Sequence, residues 1–413
     1  MIWHEKIIFR DFNNYFHIIF VYLHSINLEQ KRMANTNLAN AKTAKNDEFY
    51  TQYPDIQKEI NAYLDYDPNV FRGKTVLLPC DDPEWSNFTK FFAQNFELLG
   101  LKKLISTSYA PESKRYRMPY QPTLFETQQP YFNPDKSKTN GKIFVLDRDM
   151  TGDNRINIED LQWQYLEGDG DFRSKEIRKL RDEADIIVTN PPFSLFREFI
   201  VWLMEAQKQF IIIGNMNAVT YKEIFPLIKD NQVWLGATGF VTDMVFGVPE
   251  GTNIKDSDKQ KAERLGYVGN YTRLGNSCWF TNVDHGRRHQ PLRLMTMAEN
   301  FKHSKHKEIR GREDYIHYEN YDAIEIPYTD AIPSDYEGAM GLPKSFLDKY
   351  CPEQFEIIGI AEGDSGKELG LKPFPPELKK LNPSLRQGQL YYMEDGYPVK
   401  PYARILIRKK QSV

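Results

Sequence analysis

Residues 185–193 read Asp-Ile-Ile-Val-Thr-Asn-Pro-Pro-Phe. The β-branched run at 186–188 is typical of a buried strand. The two prolines after it lack a backbone N–H and fix φ, so the strand must end in a rigid, extended loop. Because ligands bind at the carboxyl ends of strands in open α/β sheets, the segment places an amide, Asn190, and an aromatic ring, Phe193, where chemistry is expected.

Strands and helices alternate around this segment. Continuous apolar runs predict buried strands at residues 74–78, 103–107, 143–146 and 210–215. Helical spacing of apolar residues predicts helices at residues 55–64, 88–99, 174–184, 195–207 and 221–228. A further short strand and turn are expected within residues 164–172, and residues 110–141 have the composition of an inserted loop. The alternation predicts an α/β fold with a doubly wound, mostly parallel sheet.

The composition is that of an ordinary globular protein. The chain has 413 residues, of which 40% are hydrophobic and 27% are charged. Its net charge of −3 means that any nucleic-acid-binding surface must be local. Three cysteines without a CxxC pair argue against a disulfide framework and against a structural zinc site. We therefore expect a cytoplasmic protein with no bound metal.

Residues 1–45 are predicted to be an N-terminal extension outside the folded core, either disordered or a start-site artefact. The apolar patch at 18–23 is too short to cross a bilayer, so no membrane contact is expected. Small polar residues follow Met33 and predict a flexible lead-in. We interpret residues 1–32 as an upstream extension of the reading frame. A weak membrane or signal segment is the alternative for this stretch.

The Asn-Pro-Pro-Phe loop has groups that suit chemistry on an aromatic amine. Such an amino nitrogen is a poor nucleophile because its lone pair is delocalised into the ring. Two acceptors, the Asn190 side-chain oxygen and the Pro191 carbonyl, can bind its two hydrogens and favour a pyramidal nitrogen. Pro192 keeps the loop rigid, and Phe193 can stack on a base that has been flipped out of a duplex. The alternative is that these residues form only a turn that ends a strand.

A basic segment, residues 285–312, follows the predicted sheet. It contains eight Lys or Arg against two Glu. Arg287, Arg288 and Arg293 are its candidates for contact with DNA phosphates. The alternative is a solvated, charged face. The four histidines of the segment have no cysteine partners and no metal-ligand spacing, so zinc is not expected.

Asn190-Pro191-Pro192-Phe193 resembles motif IV of the adenine-specific, S-adenosylmethionine-dependent DNA methyltransferases. Asn46-Asp47-Glu48-Phe49-Tyr50-Thr51, upstream of the first strand, resembles their amino-terminal cofactor motif. The cofactor motifs come first, the catalytic motif next and target recognition last. With its motifs in this order, the chain is similar to the EcoRI modification-methylase type. The similarity covers about residues 40–290. The segment Met340-Gly341-Leu342-Pro343-Lys344-Ser345-Phe346-Leu347 is similar to that type as well.

The resemblance implies a Rossmann-like methyltransferase fold with S-adenosyl-L-methionine as the cofactor. The first strand ends in residues 79–85, which lack the glycine usual in the family. The segment 169–172 resembles the motif that contacts the cofactor's adenine, with carboxylates for its amino group and a ring for stacking. The cofactor-binding residues implied in this way are Tyr50, Thr51, Pro79, Cys80, Asp81, Asp82, Asp169, Asp171 and Phe172.

The same resemblance implies how the chain is divided and what it does. Residues 46–230 are expected to form the catalytic core, and residues 231–330 an irregular target-recognition region with a returning core strand near 278–283. Residues 331–413 are expected to form a C-terminal accessory segment. The implied function is methyl transfer from S-adenosylmethionine to the N6 amino group of adenine at a specific site in double-stranded DNA. The protein would act as a monomer and as the modification half of a restriction–modification system. The alternatives are an RNA-adenine or protein-glutamine methyltransferase and a non-catalytic DNA-binding protein.

Overall fold

The computed structural model describes residues 49–81, 86–110, 127, 132–240, 244–248, 252 and 254–411. Its strands are β1 (Tyr50–Thr51), β2 (Thr75–Leu78), β3 (Lys103–Thr107), β4 (Lys142–Leu146), β5 (Gln162–Tyr165), β6 (Ile186–Thr189), β7 (Gln209–Asn215), β8 (Trp234–Leu235), β9 (Met244–Gly247), β10 (Tyr271–Leu274), β11 (Ser277–Thr281), β12 (Ala323–Glu325), β13 (Ala339–Pro343), β14 (Phe355–Ala361), β15 (Tyr392–Glu394), β16 (Tyr397–Val399) and β17 (Arg404–Lys409). Its helices are α1 (Tyr53–Tyr66), α2 (Asn87–Gln94), α3 (Phe96–Leu99), α4 (Lys136–Thr139), α5 (Lys175–Glu183), α6 (Phe196–Glu205), α7 (Phe225–Lys229), α8 (Asp256–Arg264), α9 (Met297–His303), α10 (Gly363–Glu368) and α11 (Leu378–Leu381).

The largest sheet of the described chain has the strand order β5-β4-β3-β2-β6-β7-β11-β8. β3, β2, β6 and β7 run parallel at its centre. β4 and β5 extend one side and β11 and β8 the other, each pairing antiparallel with its neighbours. The predicted α/β fold is confirmed, and the sheet is mixed because its outer strands reverse direction.

The central strands are covered on both faces by helices. On one face Val76 and Ile186 pack with residues of α1, α2 and α3. On the other face Leu77 and Ile187 pack with residues of α5, α6 and α7. This burial on both sides explains why the strands read as continuous apolar runs. Each fully buried side chain of this size stabilises the fold by about 1.5–3 kcal/mol.

A second sheet pairs the beginning of the described chain with a strand from much later in the sequence. It is antiparallel and has the order β1-β9-β10. Tyr50 pairs with Gly247 and Thr51 with Phe246. The N-terminal motif is therefore held by a strand that lies beyond residue 240, in the part of the chain predicted to recognise the target.

A third sheet, with the order β12-β13-β17-β14, is formed by strands from the C-terminal part of the described chain. Met340 and Ile405 of this sheet share one apolar core with Phe210 of the central sheet. The boundary predicted between residues 330 and 331 divides this sheet, because β12 and β13 pair in parallel across it. The described residues from Phe49 onward belong to one compact unit.

Most predicted elements lie close to their expected positions, and the differences have local causes. Ser174 caps α5 by accepting a hydrogen bond from the Ile177 N–H, as an N-cap residue does. The predicted helix at 221–228 begins only at Phe225, with Pro226 in its first turn. The strand expected within 164–172 covers Gln162–Tyr165. Among the described residues no helix is long and apolar enough to cross a membrane.

Candidate active site

The loop at residues 190–193 is held between a buried strand and a helix. All four residues of β6 are buried, as is Pro191. A 3₁₀ turn follows, and α6 begins directly after it. Phe196, the first residue of α6, lies against Gly214 of β7, where a Cβ would come within 2.3 Å of the ring. This contact fixes the start of the helix on the sheet, so the loop has little freedom to move.

The Asn190 side chain is bound at one end and unsatisfied at the other. Its Nδ2 donates a hydrogen bond to the Phe49 carbonyl oxygen at 2.7 Å. Its Oδ1 is buried and makes no hydrogen bond with the described residues. A buried acceptor without a donor costs about 1–3 kcal/mol. The bond to Phe49 therefore orients the amide so that its oxygen can accept from an N–H group of a ligand.

Three phenylalanine rings, one of them from the loop, pack together. The rings of Phe49 and Phe193 stack with centroids 5.5 Å apart, and Phe246 of β9 meets both rings edge-on. Phe193 remains partly exposed. The ring of Phe193, which belongs to the loop, is thus held in a fixed plane, as stacking on a base requires.

The N-terminal motif lies next to the loop. Thr51 is buried, and its Oγ1 makes no hydrogen bond with the described residues. Its carbonyl oxygen accepts from Asn87 Nδ2 at 2.8 Å, which ties β1 to the start of α2. Tyr50 is partly buried, and its carbonyl oxygen accepts from Gln52 Nε2 at 2.9 Å. The structure therefore places Tyr50 and Thr51 beside Asn190, two segments that are far apart in the sequence.

Hydroxyl groups hold the loop after β2, in which the sequence has no glycine. Asp81 is only 6% exposed, and its carboxylate accepts from Ser86 Oγ at 2.8 Å and from Thr189 Oγ1 at 2.6 Å. Ser106 Oγ donates to the Asp81 carbonyl oxygen, and Thr107 Oγ1 donates to that of Pro79. Asp81 supports the loop by joining the end of β2 to the end of β6. Asp82 lies outside the described residues.

Cys80 stands in the same loop as a neutral thiol. Burial, and after it the charge of Asp81, raises the pKa of the Cys80 thiol well above its ordinary value. A thiol that stays protonated is a poor nucleophile and metal ligand. Cys80 therefore contributes shape and a small apolar surface at the carboxyl end of β2. Among the described residues, no group of three or more His, Cys, Asp or Glu is arranged to hold a metal ion.

The turn at residues 169–171 is fixed against the end of β3. Gly170 has φ +83°, and a Cβ there would come within 2.2 Å of the Ser108 carbonyl oxygen. The Asp169 carbonyl oxygen accepts from the Ala110 N–H at 2.7 Å. Burial would raise the pKa of Asp171, but its hydrogen bonds from Arg173 hold it below the ordinary value. Both carboxylates are partly exposed at the edge where the cofactor is expected, and that of Asp171 is paired with the Arg173 guanidinium.

The aromatic ring predicted to stack on the cofactor belongs to the core. Phe172 is 4% exposed and meets the rings of Phe199 and Trp202 edge-on. The Arg173 guanidinium lies 5.5 Å from the centre of the same ring. Stacking of a cofactor on Phe172 does not fit this burial, and the residue instead anchors the acidic turn to α6.

The three predicted phosphate contacts have different environments. Arg288 is 8% exposed, and its guanidinium lies 3.5 Å from the centre of the Trp234 ring. Arg287 donates to Asp348 at 2.7 Å and to the Ala237 carbonyl oxygen at 2.9 Å. Both arginines therefore have partners within the fold, and their contact with DNA stays a prediction. Arg293 is exposed.

Several residues of the site carry no sequence signal that would identify them. Phe246 belongs to a glycine- and aromatic-rich stretch, but only the β1–β9 pairing shows that its ring faces Phe49 and Phe193. Thr189 reads as the last residue of an ordinary strand. Its role becomes visible only through the 2.6 Å hydrogen bond to Asp81.

Comparison with known proteins gives one family and several relatives. A family model described as adenine-specific methyltransferase EcoRI matches residues 37–410. The Type II methyltransferase M.EcoRI of Escherichia coli is 39% identical over 358 residues, which cover 85% of this chain and 97% of that protein. M.MpnI of Mycoplasma pneumoniae is 35% identical over 77% of this chain and 83% of its own length. M.MgeORF184P of Mycoplasma genitalium is 32% identical over 90% of this chain and 98% of its own length. No solved structure matches.

Proposed function

This chain belongs to the EcoRI family of adenine-specific methyltransferases, and we propose that residues 190–193 are the site at which it methylates adenine in DNA. The unsatisfied Oδ1 of Asn190 is the observation that supports this assignment most directly. The oxygen is buried and fixed in orientation by the bond to Phe49, and the same loop carries a partly exposed aromatic ring, Phe193. Together these features match a planar base that presents an amino group.

The loop would act on the target amino group by binding its hydrogens. Asn190 Oδ1 accepts one hydrogen and the Pro191 carbonyl oxygen the other, which localises the lone pair on nitrogen. Both oxygens also stabilise the positive charge that develops on the nitrogen during transfer. Phe193 holds the base in plane, so that the nitrogen has a defined approach to the methyl group. After transfer the methylated nitrogen loses one of its hydrogens as a proton to solvent, so none of these groups has to titrate.

The methyl donor would be S-adenosylmethionine, which supplies an electrophilic methyl group on a positively charged sulfur. Polar groups near the carboxyl ends of β2 and β3 are suited to binding this molecule. Asp169 and Asp171 can accept from its hydroxyl or amino groups, and the buried Thr51 Oγ1 has no hydrogen bond within the described chain. Tyr50, Pro79 and Cys80 complete this edge. Asp81 positions the loop through the hydrogen bond that it accepts from Thr189.

The substrate would be duplex DNA, and the target adenine must leave the helix to reach the loop. A stacked base cannot approach Asn190, because the amide is partly buried at the end of a strand. The relatives are named Type II methyltransferases. We propose that this chain protects a specific site from a restriction endonuclease.

The experiment is a methylation assay with an isotopically labelled methyl group on S-adenosylmethionine. Plasmid DNA from a host without adenine methylation is treated with the purified protein and digested to nucleosides. Mass spectrometry should find the label in N6-methyldeoxyadenosine. Label in cytosine, or in RNA or protein offered in parallel and not in DNA, would contradict the proposal.

A further inference from the structure

An exposed arginine stands beside the catalytic loop without a role in the chemistry described above. Arg197 is the second residue of α6, directly after the loop and its 3₁₀ turn. Side chains in a first helical turn point back toward the helix N-terminus, and here that direction leads to the carboxyl edge of the sheet. The Arg197 side chain is 55% exposed, and it makes no hydrogen bond with the described residues.

The guanidinium of Arg197 is held in position by two groups that follow β7. It lies 4.1 Å from the centre of the Tyr221 ring, in a cation–π contact. Its Nε is 3.9 Å from Glu223 Oε2, and the Glu223 side chain is only 6% exposed. Both carboxylate oxygens of Glu223 are buried without a hydrogen-bond partner in the described chain. The Glu223 carboxylate and the Tyr221 ring thus hold the Arg197 guanidinium in position. Its N–H groups make no hydrogen bond with the described residues and can donate to a ligand.

A lysine from a distant part of the chain reaches the same rim. Lys344 directly follows β13. Its Nζ donates to Asn217 Oδ1. Asn217 belongs to the short turn between β7 and Tyr221. Two cations from different elements therefore meet the segment that leaves the strand next to the catalytic loop.

We propose that Arg197 and Lys344 bind the phosphate backbone of the DNA strand that carries the target adenine. A flipped base stays attached to its strand, so the phosphates beside it must lie at the rim of the pocket. A guanidinium offers two parallel N–H donors that match phosphate oxygens, and an ammonium adds a point charge. This inference rests on the proposed function, because it needs a strand at this rim.

The test measures how tightly each variant binds a fluorescent duplex over a series of salt concentrations. The duplex contains, in unmethylated form, the sequence that the wild-type protein is found to methylate. Arg197→Ala should weaken binding by about 10- to 100-fold, the value of one charge-assisted hydrogen-bonded contact. It should also reduce the slope of log K against log salt by about 1. Arg197→Lys keeps the charge and should keep the slope while losing part of the affinity. Lys344→Ala should also lower the slope.

Arg72→Ala is the matched control, because Arg72 is exposed at the opposite edge of the sheet, just before β2. It should bind as the wild type does. Wild-type affinity and slope in Arg197→Ala, or lost affinity with an unchanged slope, would overturn the inference. A wild-type protein that leaves no methyladenine in DNA would refute the proposed function instead, whatever Arg197 does.

Discussion

Replacement of Thr189 by valine tests whether one buried hydrogen bond joins the loop after β2 to the end of β6. Thr189 Oγ1 donates to Asp81 Oδ2 at 2.6 Å, and Thr189 is fully buried. Valine removes the donor, and at this depth water has no access to replace it. We expect Thr189→Val to lower the free energy of unfolding by about 1.5–3 kcal/mol, the range for a hydrogen bond to a charged group.

Urea unfolding of a double-mutant cycle measures this bond. The variants are Thr189→Val, Asp81→Asn and the combination, with Thr189→Ser as the control that keeps the hydroxyl. If the bond exists, the double variant loses less stability than the sum of the single variants, by about 1–2 kcal/mol. Effects that add within about 0.5 kcal/mol would refute the role of Asp81 as a support of the loop.

Two further predictions concern the segment after β11. Burial lowers the pKa of His285 to about 4 from 6.5, so the unfolded chain binds a proton between these values that the folded chain does not. The free energy of unfolding is then highest above pH 6.5 and falls by roughly 3 kcal/mol as the pH drops to about 4. His285→Gln should flatten this pH profile in urea unfolding. An unchanged profile would contradict the role of His285. Arg288→Ala should cost about 2 kcal/mol of stability through its lost contact with Trp234, with the salt dependence of DNA binding unchanged. Arg293→Ala should instead lower the salt slope by about 1, and equal slopes in both variants would contradict this division.

The strands of the core were predictable because burial on both faces leaves a direct mark in the sequence. β2, β3, β6 and β7 all coincide with continuous apolar runs. Their direction leaves no such mark. The run at 143–146 reads like the others, yet β4 pairs antiparallel with β3, because a chain that returns through an inserted segment can enter the sheet from either end.

The catalytic loop was predictable from its chemistry, and its supports were not. Asn190 stands out because two prolines and a phenylalanine follow it directly. The bond from its amide to the Phe49 carbonyl depends on the β1–β9 pairing, which joins residues 50 and 247. Nothing local to either segment specifies that contact.

The packing of Arg288 could not be predicted for the same reason. A run of positive charge in the sequence does not distinguish an exposed arginine from one that packs on an aromatic ring. Trp234, which covers Arg288, lies far from it along the chain and is brought close by the β8–β11 pairing. Charge patterning therefore predicts where cations occur, while tertiary packing decides which of them are available to a ligand.

The rate of methyl transfer by Asn190→Ala in a single turnover is the most direct test of the central claim. The control is Asn215→Ala, since Asn215 stands at the carboxyl end of the neighbouring strand and caps the turn after it. With DNA and S-adenosylmethionine both saturating, the Asn190 variant should transfer the methyl group at least about 10²- to 10³-fold more slowly than the wild type. It should keep its urea midpoint, and the Asn215 variant should stay close to the wild-type rate. Transfer by Asn190→Ala at a rate near that of the wild type would contradict the assignment of the catalytic loop.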